Sequence, residues 1–390
     1  MNPNSSRLTV VDALRGFSIV AIMLLHNIEH FDFYNFPENL PSLIQHTDHI
    51  IWGSLFFLFG GKVYAIFALL FGLTFFIQSD NQEKRGKDFR GRFAWRLLLL
   101  LLFGLINSAF YEGDILTIYA ITGFFLIPFA RLSNRTVFWI ALVLMLQPYL
   151  WIQFIQAIQN PTAELLNPVS WTYFGRMNEY IPGRSFVDTC IGNLTNGKKA
   201  VLIWTYENGR SVQTLSLFLF GMLAGRLSLF SLSETNRKFW IRSLVIAAVT
   251  FIVLFVINRK MGTWIQGEAL LRPLKTIETS WMNMAFMVVW IAGFSLLFQT
   301  RAFHRPLDRL SSIGKMSLSN YLIQSIIGST IYYGFGLGLY KYTGATYSFL
   351  IGIALAIAQG YFSTWWMKHH KRGPLETLWH KATWVGSPKP

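Results

Sequence analysis

Long apolar stretches recur along the whole chain and are separated by shorter polar or charged connections. Each stretch is close to the roughly 20 residues that an α-helix needs to cross about 30 Å of hydrocarbon. A helix also satisfies its own backbone hydrogen bonds in lipid. The pattern predicts an all-α, polytopic membrane helix bundle of about ten transmembrane helices, covering residues 10–28, 50–77, 93–110, 115–129, 137–155, 212–230, 240–257, 281–298, 316–338 and 347–367.

The composition agrees with this interpretation, because 53% of the 390 residues are hydrophobic, only 14% are charged and 35 are Phe. A soluble core does not need so much Phe. We find no soluble second domain, so we expect one integral membrane domain over residues 1–390, with an outer-face cap at residues 159–213. The single Cys190 has no partner within the chain. We therefore expect neither a disulfide nor a metal site.

Lys and Arg are concentrated in alternate connections, whereas the connections after the first and third stretches contain only acidic charges. Loops rich in Lys and Arg stay on the cytoplasmic side. Both termini are therefore predicted to be cytoplasmic, which places the cap outside. This asymmetry, together with anionic lipid headgroups, explains most of the net charge of +15, so we expect no nucleic-acid partner.

Four ionisable residues lie in or beside the first apolar stretch. Asp12, Arg15, His26 and His30 return to within about 60° of one another on a helix that advances about 100° per residue. Ionisable groups within a membrane span usually face the bundle interior and mark functional sites. The alternatives are an ion pair between Asp12 and Arg15 at the membrane surface and a packed, hydrogen-bonded His26.

Further polar residues are expected near the depth of His26. Lys62 follows Gly60 and Gly61 at a predicted helix break, and Glu112 and Asp114 lie in the turn after the third stretch. Lys62 could instead extend to the membrane surface, and Asp114 could cap the next helix.

The motif "MSLSNYLIQS" places Ser317, Asn320, Tyr321 and Gln324 on one helical face. These side chains suit either ligand binding or hydrogen bonds between helices.

Several motifs together resemble the YeiB-like family, a domain of unknown function in bacterial polytopic membrane proteins. They are "VDALRGFSIVAIMLLHN", "GKVYAIFALLFGLTF", "GDILTIYAITG" and "GKMSLSNYLIQSIIGSTIYYGFGLGL" followed by "GPLETLW". The resemblance covers nearly the whole chain. It implies a multi-pass protein of the bacterial cytoplasmic (inner) membrane.

The first helix is also similar to that of transmembrane acyltransferases, which include a lysosomal enzyme that acetylates heparan glucosamine and bacterial enzymes that O-acylate surface polysaccharides. The bacterial enzymes carry D-x-L-R followed by a helix that ends in His, and Asp12, Arg15 and His26 match that spacing. In many YeiB-like proteins Asn stands at the position of His26, and Asn27 lies next to it here. His46 and His49 remain alternatives for a His that follows the first helix in the heparan-modifying enzyme.

This resemblance implies an acyltransferase that takes an acyl group from cytoplasmic acyl-CoA, with no tightly bound cofactor. His26 would act as general base, Asp114 or Glu112 would orient it, and Lys62 or Asn27 would stabilise the oxyanion. The acceptor would be an envelope glycan, a lipid or a small molecule. Its predicted binding residues are Asp12, Arg15, Glu112, Asn320 and Gln324. The donor phosphates suit a basic cluster, namely Lys84, Arg85, Lys87, Arg90, Arg92 and Arg96.

Two other classes of function remain open at this point. A transporter or flippase would use the polar stripe as a passage, with the helix break at Gly60-Gly61-Lys62 as part of its site. A non-catalytic membrane scaffold would use the same polar residues to hold helices together. The sequence does not determine the oligomeric state.

Overall fold

The computed structural model describes residues 9–159 and 167–386, and within these ranges the regular secondary structure is entirely helical. The first part contains seven α-helices: α1 (Thr9–Ile28), α2 (Ser42–Phe59), α3 (Val63–Glu83), α4 (Arg90–Phe110), α5 (Leu116–Leu126), α6 (Asn134–Met145) and α7 (Pro148–Gln159). The second part contains ten: α8 (Val169–Gly175), α9 (Phe186–Gly192), α10 (Lys198–Glu207), α11 (Arg210–Arg226), α12 (Glu234–Trp264), α13 (Glu268–Phe298), α14 (Arg301–Lys315), α15 (Ser317–Tyr332), α16 (Ala345–His369) and α17 (Pro374–Thr383).

Seven helical segments of the described chain are long and apolar enough to cross a membrane: Thr9–Ile28, Ser42–Glu83, Arg90–Phe110, Asn134–Gln159, Glu234–Trp264, Glu268–Phe298 and Ala345–His369. The segment Leu116–Arg131 is apolar but shorter. The all-α, multi-pass membrane architecture is confirmed at this level. The count of about ten remains a prediction. So does the cytoplasmic position of the termini, of which residues 1–8 and 387–390 lie outside the described ranges.

Two of the predicted spans are divided in the structure. The helix is interrupted between α2 and α3 at Gly60-Gly61-Lys62, where Gly61 has a φ of 74°. Gln147, with a φ of 60°, separates α6 from α7. The first break lies where the sequence predicted one, since glycine adopts the left-handed conformation at little cost. The second break falls at a non-glycine residue that hydropathy does not single out.

Helix α1 lies at the centre of the bundle and packs closely against α14. A Cβ atom at Gly16 would lie 1.9 Å from the carbonyl oxygen of Leu310, and one at Gly314 would lie 1.8 Å from that of Asp12. Small residues at such a crossing allow the two backbones to approach within van der Waals contact. The same device joins α3 to α11, where a Cβ at Gly221 would lie 1.8 Å from a backbone oxygen of α3. These crossings fix the position of α1.

The described part of the cap, residues 167–213, packs against the end of α4 that is farther from the basic connection. Asn193 donates a hydrogen bond of 3.2 Å to the carbonyl oxygen of Ala109. Lys198 on α10 lies 3.7 Å from the carboxylate of Asp114. Residues 160–166 of the predicted cap lie outside the described ranges. The cap therefore closes one end of the bundle, while α17 packs against α4 and α15 at the other end.

Candidate active site

The turn that follows α1 has an unusual backbone. His30, Phe31 and Asp32 have φ values of 51°, 55° and 61°, which L-residues adopt at a cost. Buried contacts hold this turn in place: the Tyr333 hydroxyl donates a 2.7 Å hydrogen bond to the Phe31 carbonyl oxygen. Because α1 ends at Ile28, the turn brings Asp32 back toward the end of the helix.

The prediction that His30 continues the polar stripe of α1 is therefore wrong. Its imidazole packs against α15 and α16, where Nε2 lies 3.0 Å from the Ser348 hydroxyl and the ring stacks on Tyr332 at 4.7 Å. Burial lowers the pKa of His30 to about 4. His30 is thus a neutral packing residue near pH 7.

His26 is the centre of a polar cluster. Its Nδ1 lies 3.1 Å from a carboxylate oxygen of Glu29 and 3.2 Å from the hydroxyl of Tyr111. That hydroxyl donates a 2.8 Å hydrogen bond to Asp32, and the Tyr34 hydroxyl donates to Glu29 at 3.2 Å. A hydrogen bond from Nδ1 to Glu29 leaves Nε2 of the imidazole able to accept a proton. This is the arrangement of a histidine base with an orienting carboxylate.

Burial raises the pKa of the Glu29 carboxyl, and the nearby Asp32 adds to this effect, whereas the hydrogen bond from His26 opposes it. The two residues compete for the same proton.

His26, Glu29 and Asp32 each offer one ligand atom, and these atoms lie within 4.8 Å of one another. A nitrogen and two carboxylate oxygens are ligand types that zinc accepts in proteins. The same atoms already hydrogen-bond to each other and to the two tyrosines. The expectation that the protein has no metal site stays a prediction.

The cluster faces a cavity of about 690 Å³, here called the outer chamber. Aromatic side chains from the turn, from α2 and from the cap form much of its wall. Its lining includes Ile22, His26, Glu29, Asp32, Gly61, Tyr64, Ile115, Trp204, Thr205, Arg210, Thr214 and Tyr321.

A second cavity of about 210 Å³, the inner cavity, lies between the outer chamber and the basic end of the bundle. It contains Arg15, Phe71, Arg96 and Leu97 and is mostly apolar. Four residues line both cavities: Ile22, Tyr64, Ile115 and Tyr321. We call these four the waist. The two cavities therefore meet end to end at the waist.

A third cavity of about 400 Å³, the vestibule, adjoins the inner cavity at the basic end. It contains four cationic side chains from four segments, Arg85, Arg96, Lys315 and Arg372. The vestibule and the inner cavity share Gln78, Arg96, Lys315, Glu376 and Trp379. Three neighbouring cavities thus lie between the basic mouth and His26.

The predicted donor cluster is divided by the structure. Only Arg85 and Arg96 line the vestibule. Arg92 donates to the Thr383 carbonyl oxygen at 2.7 Å and holds α17. The remaining three lie on the exterior: Lys84 paired with Asp80, Arg90 paired with Asp88, and Lys87 exposed.

Lys62 and Asn27 do not enter the outer chamber. The Lys62 ammonium lies 3.3 Å from the carbonyl oxygen of Phe56 and 5.8 Å from the ring centroid of Phe286. Asn27 donates to the Met23 carbonyl oxygen at 2.8 Å and accepts from a buried tyrosine at 3.0 Å. Their predicted role in stabilising an oxyanion is therefore not supported by the geometry, because neither residue lines the chamber that contains His26.

Asp114 accepts hydrogen bonds from the backbone N–H and the hydroxyl of Thr117, at 2.9 and 2.6 Å, in the first turn of α5. It also accepts from Asn107 at 3.0 Å. The alternative of a capping residue thus describes Asp114 better than a contact with His26. Glu112 is fully buried and accepts from Tyr333 at 3.3 Å, and burial raises the pKa of its carboxyl.

Asp12 and Arg15 form the ion pair that the sequence allowed, at 2.9 Å. The guanidinium also donates to the hydroxyl of Thr74 and lines the inner cavity. Arg15 precedes His26 by 11 residues, which corresponds to about 16 Å along α1. Asp12 orients Arg15, and neither residue reaches the outer chamber.

Asn320 and Gln324 hold helices together. Asn320 donates to the Ile313 carbonyl oxygen and to Ser363, each at 3.0 Å. Gln324 donates to Gln359 at 2.7 Å. The structure thus favours the second of the two roles that the sequence suggested for these residues, hydrogen bonds between helices, over ligand binding.

Sequence reasoning missed the partners of His26 and part of the basic mouth. Glu29 lies three residues after His26, a spacing that brings side chains together on one helical face and could have indicated the pair. Asp32 lies near His26 only because the left-handed turn after α1 brings it there. Lys315 and Arg372 were assigned to topology alone, because their distance in sequence from Arg85 conceals the shared vestibule.

Residues 224–386 match the family model described as "Protein of unknown function (DUF418)". The chain is 27% identical to the uncharacterized protein YxaH of Bacillus subtilis (strain 168), over 98% of this chain and 95% of the relative. It is 26% identical to the uncharacterized protein YeiB of Escherichia coli (strain K12), over 97% and 96% of the two chains. An uncharacterized 39.9 kDa protein from Bacillus acidopullulyticus is 23% identical over 97% and 94%. The DUF418 match thus covers the carboxy-terminal part of the chain, and the similarity to the uncharacterized proteins YxaH and YeiB extends over nearly its whole length.

Proposed function

We propose that this protein transfers an acyl group from acyl-CoA, which enters through the vestibule, to a hydroxyl or amine of an acceptor in the outer chamber. The observation that carries the proposal is the series of three cavities, joined by shared residues, between a basic mouth and His26. A donor with a charged head, a long narrow arm and a reactive end fits this series.

The vestibule suits the phosphates of CoA. Arginine guanidinium groups bind phosphate through two parallel hydrogen bonds, and lysine adds a compact charge. Arg85, Arg96, Lys315 and Arg372 supply both types of group. We propose that these four replace the predicted set of Lys84, Arg85, Lys87, Arg90, Arg92 and Arg96 as the donor site.

The inner cavity would hold the pantetheine arm. Arg15 in the inner cavity and His26 in the outer chamber are about 16 Å apart along α1, a distance that the extended arm can cover so that the thioester reaches the waist. Aromatic and aliphatic walls exclude water from the arm. This supports delivery of the thioester carbonyl to the side of the waist where His26 lies.

The transfer itself would need one proton relay. The acceptor oxygen or nitrogen attacks the thioester carbonyl carbon while Nε2 of His26 takes the acceptor's proton. The C–S bond then breaks, and the imidazolium returns that proton to the CoA thiolate. Glu29, hydrogen-bonded to Nδ1 at 3.1 Å, keeps the ring oriented and stabilises its positive charge.

Tyr321 is the proposed oxyanion donor. Its hydroxyl oxygen accepts a 3.2 Å hydrogen bond from the backbone N–H of Ile115, which leaves its own proton for a further acceptor. Tyr321 lines both cavities at the waist, where the thioester would stop. It takes the role that the sequence gave to Lys62 or Asn27.

We further propose ten membrane crossings in a bacterial cytoplasmic membrane, with the vestibule and both termini in the cytoplasm. The asymmetry of Lys and Arg along the chain supports this orientation. Reporter fusions after Lys87 and at the carboxy terminus should then report the cytoplasm, and fusions near Glu38 and Asn196 the outside. An external carboxy terminus would overturn this topology.

The break between α2 and α3 supports a transporter as the second candidate function. Gly60 and Gly61 line the outer chamber, as expected where a discontinuous helix contacts a transported solute. Such a protein would move its solute through the waist without any covalent change. A scaffold has less support, since it needs no connected cavities.

The test uses full-length protein in lipid nanodiscs with acetyl-, octanoyl- and palmitoyl-CoA. We expect binding that weakens when Arg85, Lys315 and Arg372 are all replaced by Gln, and that is unchanged when the exterior residues Lys84, Lys87 and Arg90 are replaced in the same way. Release of free CoA with an envelope extract, and the acylated product seen by mass spectrometry, would support the enzyme. Absence of binding at millimolar donor would overturn it, and solute movement without product would favour the transporter.

A further inference from the structure

The wall of the outer chamber contains, besides His26, a cation that contacts two aromatic rings. Arg210 begins α11, and its guanidinium lies 4.7 Å from the ring centroid of Tyr64 and 5.3 Å from that of Trp204. Its Nη1 donates a 3.1 Å hydrogen bond to Gln213. The two rings contact the faces of the planar guanidinium. A ligand would therefore bind to the N–H groups at its edge.

Arg210 is not neutralised by the protein around it. None of the ion pairs between described residues includes this guanidinium. The acidic residues of the chamber, Glu29 and Asp32, belong to the turn after α1 and bond to His26 and the tyrosines instead. The outer chamber therefore has an acidic side and a basic side.

Two buried hydroxyl groups lie on the basic side. Thr205 on α10 and Thr214 on α11 both line the chamber and are 2% and 1% exposed. Neither side-chain oxygen has a hydrogen-bond partner within the described part of the chain. Buried hydroxyls are normally paired, so these two indicate a ligand with oxygen acceptors. Thr214 follows Arg210 by four residues and lies on the same face of α11.

The start of α11 adds to this electrostatic character. Helix α11 is 17 residues long, and its amino-terminal end lies beside the chamber at Arg210. Unpaired backbone N–H groups and the helix dipole make such an end favourable for negative charge.

We infer that the outer chamber binds an acceptor that carries an oxyanion, a carboxylate or a phosphate, on Arg210, Thr205 and Thr214. The oxyanion on the basic side would anchor the molecule, and its hydroxyl or amine would then face His26 across the chamber. That this ligand is the acyl acceptor rests on the proposed function, whereas the anion-binding site itself is argued from the residues of the chamber alone.

The experiment measures binding without any acyl-CoA present, with full-length protein in phosphatidylcholine nanodiscs and titration calorimetry. The probes are glucose, glucuronic acid and glucose 6-phosphate, which share a sugar ring and differ in the acidic group. We expect both acids, or one of them, to bind at least about tenfold more tightly than glucose, because charged hydrogen bonds are the strong ones. Preference between the two acids identifies the carboxylate or the phosphate as the natural group.

Arg210→Gln should reduce the binding of the acids to the level of glucose, and Arg210→Lys should retain part of it. Lys199→Gln is the matched control, because this exposed cation stacks on Tyr173 outside the chamber. Thr214→Val should weaken binding while the thermal midpoint stays unchanged, because its hydroxyl supports no contact in the described protein.

Equal affinity for glucose and both acids, or undiminished acid binding in a folded Arg210→Gln protein, would overturn the inference. Acid binding in a protein that never turns over acyl-CoA would overturn the proposed enzyme and leave the anion site standing. Turnover of acyl-CoA without acid binding would do the reverse.

Discussion

His26 and Glu29 form the smallest unit of the proposed chemistry. The imidazole lines a chamber large enough for an acceptor, and its Nδ1 is held by a carboxylate three residues later. A histidine that only packs would not need an orienting carboxylate together with open space on its other side. The pair is therefore the part of the molecule where single substitutions are most informative.

We expect His26→Ala to fold and to lose transfer activity by roughly 10²- to 10⁴-fold, the usual contribution of a general base. The measurement is CoA release at saturating donor, with the thermal midpoint as a check on folding. His49→Ala is the control, because His49 is exposed and does not line the chamber. Undiminished turnover of a folded His26→Ala protein would reject this residue as the base.

We expect Glu29→Gln to lower kcat by roughly 10²-fold and to leave KM for the donor nearly unchanged. The reason is that Gln keeps a hydrogen bond to Nδ1 but cannot stabilise the imidazolium that forms during transfer. Glu38→Gln, in the exposed part of the same loop, should change neither constant. An equal rise in KM would indicate that Glu29 contacts substrate instead.

The residue scale also shows how far the sequence could predict this site. An ionisable residue inside an apolar helix points to His26 by itself. The position of Asp32 depends on three successive left-handed residues that contain no glycine, and no local propensity predicts such a turn. Asn27, Asn320 and Gln324 hydrogen-bond to neighbouring helices in the structure, and the sequence could not show this, because polar side chains in a buried helix look alike in sequence whether they bind a ligand or a neighbouring helix.

At the scale of elements, close backbone contacts determine where α1 lies. Gly16 and Gly314 allow α1 and α14 to touch, and no side chain fits between them. The site depends on this crossing, since α1 carries both Arg15 and His26.

We expect Gly314→Ala to reduce stability by about 1–3 kcal/mol, the usual cost of overpacking, and to lower activity with it. A Cβ atom there meets the carbonyl oxygen of Asp12, and backbone cannot move aside as a side chain can. Gly293→Ala on α13 is the control, since nothing lies within 4 Å of a Cβ at that position. Thermal unfolding of both variants measures the effect, and equal midpoints would contradict it.

Glu376 on α17 lines both the inner cavity and the vestibule at the basic end of the bundle. This carboxylate accepts from the backbone N–H groups of Leu318 and Ser319, at 2.7 and 3.1 Å, and from the Ser319 hydroxyl at 2.6 Å. Burial raises the pKa of Glu376 above its ordinary 4.5, although these hydrogen bonds oppose the shift. The protonated form is thus favoured more in the folded protein than in the unfolded chain.

The sign of the pH effect follows from linkage. Between pH 4.5 and the raised pKa, the folded protein binds more protons than the unfolded chain, so its stability falls as the pH rises through this window. We expect the thermal midpoint of the wild type to fall more between pH 5 and 8 than that of Glu376→Gln, which cannot ionise. Parallel pH dependences for the two proteins, with Glu38→Gln as reference, would contradict this expectation.

Hydropathy predicted the helices better than their ends. It identified the apolar segments, because a long apolar run in this composition has no other stable place. It did not predict the division of residues 134–159 at Gln147, since a left-handed residue in the middle of an apolar run leaves no trace in average hydropathy.

At the scale of the whole molecule, three cavities of different character follow one another from the basic mouth to the cap. Neither motif nor periodicity could predict their order, because each wall combines segments that are far apart in sequence. The vestibule alone draws on residues near 85, 96, 315 and 372. Only the packing of α4, α14 and α17 brings them together.

The waist has an electrical consequence. A continuous water-filled pore would let ions run down any voltage across the membrane, and apolar constrictions prevent this by staying dry. We propose that Ile22, Tyr64, Ile115 and Tyr321, which line both the inner cavity and the outer chamber, form such a constriction. We expect the double substitution Tyr64→Ala and Tyr321→Ala to make protein-containing vesicles leak protons, measured with a pH-sensitive dye, while the wild type stays tight. The four side chains would thus block the flow of ions, so that the thioester can reach His26 while the voltage across the membrane is maintained.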